Sequence, residues 1–331
     1  MASKRPRKIL WIEKDERDFT PIETIPEEYM HLIIPYAGVF FYRDADCDMV
    51  CQNIKLKDFS IWTHEVFANT DILLAPFTPR HILALHYMDA DSVMADIFER
   101  GPFRLGAEEV NLFNLHSHFH KALVGADKVV FSFHINIEPG ILPDLARRYP
   151  QLHNLSTKKI TDESGTLNLK PYKITPASRG LLLSMWKCRL LEVQAEYFLH
   201  RCCVDLFINF ARQDELSSIE SSSTPAIDAT LSEVFEYLTE NVQGKYDVDK
   251  LAALYNMEPE VLESAFEHLY FITPEAYLHQ QKMMTAYNLI VKTKTNMSMI
   301  ARKTGYKTKR ELWMDFEAYY GCSPVAVSNA Q

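Results

Sequence analysis

Between residues 30 and 137 the chain alternates apolar and polar positions in short runs. Phe59, Ile61, Thr63 and Phe67 sit mostly at alternate positions, and Ile82, Ala84 and His86 alternate with Leu83, Leu85 and Tyr87. The clearest run is Val129, Phe131, Phe133, Ile135 and Ile137, with Ser132, His134 and Asn136 on the opposite face. A period of two marks half-buried strands. Several such strands separated by turn residues predict a small barrel or sandwich. A short helix is expected at 90–99.

The period changes near residue 140. Leu142-Pro143-Asp144-Leu145-Ala146 starts a helical turn, and 158–170 is polar and loop-like. From Pro176 to Gln213, Leu182, Met185, Trp186 and Arg189 fall at helical spacing. Val193, Tyr197, Cys203, Leu206, Phe207 and Phe210 continue a broad apolar face. Two helices packed as a hairpin are expected, whose remaining apolar surface suits either a dimer contact or a cover for the barrel. A Ser-rich stretch, 213–223, then reads as a linker. Everything after it reads as helices.

The helical C-terminal part repeats itself with a period of 50 residues. Leu262, Phe266 and Pro274 recur as Leu312, Phe316 and Pro324, and Leu251-Ala252 recurs as Ile300-Ala301 with one residue of slippage. In the second unit a helix from Met297 to Thr304 meets the turn Gly305-Tyr306-Lys307. Thr308 caps the next helix, with Glu311 three residues on as a capping box. A short helix, a Gly-containing turn and a capped second helix make a helix-turn-helix. A long helix from Pro274 to about Lys292 joins the two units.

The segment from Ile227 to Val327 resembles the DNA-binding domain of AraC/XylS-type transcriptional regulators. The frame is Leu251-Ala252, Leu262, Phe266, Pro274, Tyr277-Leu278, Lys282, Ala286, Leu289-Ile290, Met297, Ile300-Ala301, Gly305-Tyr306, Leu312, Phe316, Gly321 and Pro324. The N-terminal part resembles the sensor half of such regulators, in particular the siderophore-type (PchR-like) subgroup. That likeness rests on Gly101-Pro102-Phe103, Asn111-Leu112-Phe113 and Phe133-His134-Ile135-Asn136-Ile137. The resemblance implies an α+β multidomain chain. It comprises a cupin-like β-barrel sensor domain over 1–170, a helical hairpin over 171–214, a Ser-rich linker over 215–226 and an all-α double helix-turn-helix domain over 227–331.

The chain has 331 residues, enough for two or three domains, and a formal charge of −9, the wrong sign for a nucleic-acid binder taken whole. Split by segment, the charge is informative. Residues 228–275 hold eleven acidic and two basic residues, whereas 276–310 hold eight basic and no acidic ones. Clustered Lys and Arg suit phosphates, whose neutralisation releases counterions. Lys282, Arg302, Lys303, Lys307, Thr308, Lys309 and Arg310 are the expected DNA-contacting residues. Lys309 and Arg310 open the recognition helix, where Arg310 could take guanine in bidentate fashion.

The first unit departs from the family. Its second helix carries Glu258, Glu260, Glu263 and Glu267, with Ser264 and Glu267 standing where the family usually has Arg or Lys. Phe271 replaces the family's Gly, and Glu317 stands where Lys is usual in the second unit. Three readings compete: weak base reading by this helix, a protein partner such as RNA polymerase, or loss of DNA binding.

His116, His118 and His120 alternate, so on a strand all three would share one face, with His134 and His86 on others. These five are candidate ligand-binding residues. Convergent imidazoles could instead hold a metal in a cupin-like enzyme, with Glu108 or Glu109 completing the site. No nucleophile elbow or P-loop motif is present. The six cysteines include no CxxC pair and read as free thiols. No run reaches the length of a membrane span. The reading is a cytoplasmic, homodimeric regulator of promoter DNA, answering to a small-molecule effector or a protein partner. No catalytic residue, metal or cofactor is assigned. The alternatives are an interaction protein with weakened DNA binding and the metal-binding enzyme.

Overall fold

A computed structural model describes residues 10–12, 21–22, 24–43, 45–97, 101–217 and 225–328. The chain divides into two compact units, Met1–Ile174 and Thr175–Gln331.

The described strands of the first unit are β1 (Leu10–Ile12), β2 (Pro21–Ile22), β3 (Gly38–Arg43), β4 (Cys47–Lys55), β5 (Ser60–Ala68), β6 (Ile72–Pro76), β7 (Ile82–Met88), β8 (Val93–Ile97), β9 (Gly101–Leu105), β10 (Glu109–Leu115), β11 (Lys121–Val124), β12 (Val129–Ile137), β13 (Gly165–Thr166) and β14 (Tyr172–Lys173). One sheet runs β13-β10-β7-β12-β5-β4-β3-β2, with β14 also paired to β10, and the other runs β1-β6-β11-β8-β9. The long β12 lies antiparallel between β5 and β7. Its odd-numbered residues Phe131, Phe133, Ile135 and Ile137 are buried, as the alternation requires. On the other face, Met49, Cys51, Val66, Leu74, Met88, Val124 and Val130 form a continuous apolar cluster.

The helix expected at 90–99 is instead a strand. Val93, Ala95 and Ile97 of β8 are buried while Met94 and Asp96 between them are exposed, which is a period of two. Pairing to β9 and β11 satisfies the backbone of this run, and tertiary pairing outweighs local helix preference. Between β12 and β13 come α1 (Leu142–Arg148) and α2 (His153–Ser156), which bury Leu142, Leu145 and Leu155.

The second unit holds α3 (Pro176–Trp186), α4 (Glu192–Leu216), α5 (Pro225–Glu240), α6 (Val248–Leu254), α7 (Pro259–Tyr270), α8 (Pro274–Lys292), α9 (Met297–Lys303), α10 (Lys309–Tyr320) and α11 (Pro324–Ser328). Residues 218–224, the centre of the Ser-rich linker 215–226, lie outside the described residues. No described helix is long and apolar enough to cross a membrane. All six cysteines are buried thiols, and none is in a disulfide.

The 50-residue repeat is the pair α6–α7 and α9–α10. Leu262, Phe266, Leu312 and Phe316 are all fully buried. The two units also share backbone geometry. The inter-helix turns carry left-handed residues at Asn256 (φ 52°) and Gly305 (φ 78°), and α7 and α10 end on left-handed Phe271 and Gly321. Asn tolerates this region, while Phe does so only under strain.

Gly305 has no substitute in its own unit. A Cβ there would stand 2.4 Å from the Gln243 carbonyl oxygen and 3.1 Å from Lys282 Nζ. We expect Gly305→Ala to destabilise the second unit by about 2 kcal/mol or more, combining left-handed strain with a backbone clash. Urea unfolding followed by far-ultraviolet dichroism measures the loss.

Candidate nucleic-acid interface and the barrel cavity

The second helix-turn-helix is built by local rules. Asn296 caps α9 through its side chain, which accepts from the Met299 amide at 3.0 Å. Thr304 is fully buried, and its hydroxyl donates back to the Ile300 carbonyl at 2.8 Å, closing the helix. Gly305 then turns the chain, and the Thr308 hydroxyl accepts from the Glu311 amide at 3.1 Å. The return bond of the capping box is displaced by one residue. Glu311 accepts from the amide of Lys307, not of Thr308, at 3.1 Å.

Arg302, Lys303, Lys307, Thr308, Lys309 and Arg310 are all exposed around this turn and the start of α10. Lys282 differs. It lies half-buried on α8, with Nζ 5.8 Å from the centre of the Tyr306 ring, and burial lowers its pKa. Behind the turn, Asp315 of α10 accepts from Tyr306 and pairs with His279 of α8 at 2.9 Å. This network fixes α10 against the long helix. Met314 is 61% exposed and shares the outer face of α10 with Arg310 and Glu317. Its exposure is not legible in the sequence, because an apolar residue on a periodic helix is ordinarily assigned to the core.

The acidic helix of the first helix-turn-helix repeat, α7, is partly spoken for within the chain. Glu263 accepts from Tyr246 at 2.7 Å, and Glu267 pairs with Arg212 of α4. Glu260, Val261 and Ser264 face solvent. Helix α4 also grips the second repeat. Arg201 stacks over the Tyr319 ring at 3.6 Å and bonds the Tyr319 carbonyl and Asp205, while the Tyr319 hydroxyl donates to Asp205 at 2.5 Å. Gln194 donates to the Val327 carbonyl at 2.6 Å.

A family model described as a helix-turn-helix domain matches residues 251–330. The C-terminal segment is an AraC-type helix-turn-helix domain. No curated relative matches the chain. Three solved structures illustrate its likenesses. The DNA-binding domain of AdpA, a global transcriptional factor crystallised with a target DNA, is 26% identical over 30% of this chain and 91% of its own, with a TM-score of 0.29. The C-terminal domain of AraT, a response regulator from Geobacillus stearothermophilus, is 20% identical over 34% of this chain and 89% of its own, with a TM-score of 0.30. ToxT from Vibrio cholerae is 10% identical over 82% of this chain and 97% of its own, with a TM-score of 0.33.

The first unit contains a cavity of about 780 Å³ between the inner faces of its two sheets. The strand expected to carry three aligned imidazoles stops at Leu115. The His118 amide donates to the His116 carbonyl at 2.8 Å, which closes a tight turn and scatters the side chains. His116 stacks on His81 with centroids 4.0 Å apart, and His118 stays off the cavity wall. His86, His120 and His134 do line the cavity. His64, which no sequence motif marks, is placed beside them by the β5–β12–β7 register. His134 lies 4.3 Å from His86 and 5.2 Å from His64, centroid to centroid. Among the described residues no three His, Cys, Asp or Glu side chains gather in a metal-holding arrangement.

Burial drives these imidazoles neutral. The pKa of His64 falls to about 4, that of His86 to about 3, and that of His134 well below its ordinary value. Glu65 points to the opposite face of β5, where burial pushes its carboxyl up to about 8. The two effects have opposite signs. A depressed His pKa supports the fold above 6.5 and withdraws that support as pH falls. A raised Glu pKa supports it below 4.5 and withdraws support as pH rises towards 8. Each buried group carries a slope on the order of 1.4 kcal/mol per pH unit within its window. We therefore expect Glu65→Gln to flatten the loss of stability between about pH 6.5 and 8, and His86→Gln to lessen the loss below pH 6.5. Urea midpoints across pH test both.

Proposed function

We propose that the protein is a sequence-specific transcriptional regulator that docks its second helix-turn-helix on promoter DNA and responds to a small molecule held in the barrel cavity. The observation that carries the DNA half is the surface around Gly305. Lys303, Lys307, Lys309 and Arg310 are exposed there, within a stretch of 35 residues that lacks any carboxylate. Lys303 and Lys307 supply phosphate contacts that fix position, and the first turn of α10 presents Lys309 and Arg310 to base edges. Half-buried Lys282 acts from behind the turn, holding Tyr306 in place.

The first helix-turn-helix repeat serves differently in this reading. Glu267 is committed to Arg212 and Glu263 to Tyr246, so α7 is held as a structural partner of α4. Its exposed acidic face suits a protein such as RNA polymerase better than a second major groove. A homodimer would present two copies of α10 to two half-sites. The response half rests on the cavity, whose size lies within the range of small-molecule sites.

Binding to a pool of genomic fragments across a salt series tests the DNA half. Discrete sites should be enriched, and affinity should fall steeply with salt. Arg310→Ala should relax specificity at one base position by about 1–3 kcal/mol, whereas Lys303→Ala should weaken all sequences alike. No retention at low salt would refute the reading.

A further inference from the structure

The cavity wall has a polar patch whose chemistry narrows what can fill it. His64, His86 and His134 come from the middle of three adjacent strands, and Ser132 and Asn136 flank His134 on the same face of β12. Ser132 and His134 satisfy one another at 3.1 Å, and His64 meets the Cys51 sulfur at 3.3 Å. Two polar atoms beside them are left over. His86 Nδ1 and Asn136 Oδ1 are shut off from water and have no hydrogen-bond partner. A buried polar atom without a partner is costly and points to a group that arrives later.

The remaining wall is mostly apolar, including Leu74, Met88, Val93, Leu105, Phe113 and Val124. The charged residues that reach the cavity sit at strand ends and turns, and several are already paired. Arg80 pairs with Glu138, and Asp58 pairs with Arg148. The mid-strand patch contains no charged side chain, because burial keeps its imidazoles neutral. An anion whose head stayed among the strand-end lysines would leave the mid-strand atoms unanswered. An anion pushed in to reach them would be desolvated without a counter-charge.

We propose that the barrel cavity binds an uncharged, largely apolar molecule bearing at least one hydroxyl, which donates to Asn136 Oδ1 and answers His86 from the middle of the sheet. This rests on the reading of the cavity as an effector site and adds the chemical class of the effector. A hydroxyl can donate to Asn136 Oδ1, which a carboxylate cannot, and it brings no charge to be desolvated, which an ammonium does.

The test uses the full-length protein and two matched probe pairs, 2-naphthol with 2-naphthoate and 1-dodecanol with dodecanoate, followed by calorimetric titration at neutral pH. The expected result is saturable binding of at least one alcohol, at least tenfold tighter than its carboxylate partner. His86→Leu and Asn136→Leu should each weaken that binding at least fivefold. Ala122→Phe, which narrows the cavity from β11 of the opposing sheet, should also weaken it at least fivefold and guards against a Leu variant that misfolds. Carboxylates that bind as tightly as the alcohols would overturn the proposal. So would saturable Zn²⁺ binding lost in His86→Leu, or no saturable binding of either alcohol. Retention of promoter fragments is measured in parallel with and without the bound alcohol. An alcohol that binds and leaves DNA retention unchanged upholds the ligand class and refutes only the regulatory response.

Discussion

A two-helix unit of some two dozen residues cannot bury its own apolar face, and the architecture of the C-terminal unit follows from that shortage. Leu262 and Phe266 in one repeat, and Leu312 and Phe316 in the other, need walls that the repeats do not provide. Helix α8 packs on both α7 and α9, and α5 closes the first repeat through Leu231, Val234 and Leu238. Helix α4 adds a further wall. Its polar bonds at Gln194, Arg201 and Asp205 hold the second repeat, and its Arg212 holds the first. A helix that bonds to both repeats constrains how far one can move against the other, and so constrains the geometry any DNA would meet.

That constraint also accounts for part of the charge pattern. Carboxylates on a recognition helix repel phosphate, yet Glu263 and Glu267 are engaged with Tyr246 and Arg212. Their role is cohesive within the chain. The basic residues of 276–310 show the reverse arrangement. Apart from Lys282 and the lysine side of the α8 terminus, they crowd onto one exposed turn and one helix start. The first repeat holds the domain together while the second presents charge.

In the barrel the equivalent constraint is the strict alternation of a sheet. Phe131, Phe133 and Ile135 must face one side, so Ser132, His134 and Asn136 must face the other. The antiparallel register then brings His64 and His86 to the same spot from neighbouring strands. Burial removes the water that would solvate their charged form. Three weak bases thus become a neutral hydrogen-bonding patch without any sequence motif.

The division between what the sequence determined and what only tertiary structure decided follows the range of the forces involved. The 50-residue repeat, the caps at Thr308 and Asn296, the left-handed Gly305 turn and the basic stretch were legible because each depends on residues a few positions apart. The strands of the first unit were legible from their period, apart from β8, whose short run reads equally as a turn of helix until its neighbours pair with it. The grouping of His64 with His86 and His134, the dispersal of His116 and His118, the burial of Lys282 and the Arg212–Glu267 pair were not legible. Each joins residues between 22 and 70 positions apart, or depends on where a strand ends. Local patterning selects the elements. Register, enclosure and long-range charge pairing decide which side chains meet, and those arise only when the elements pack.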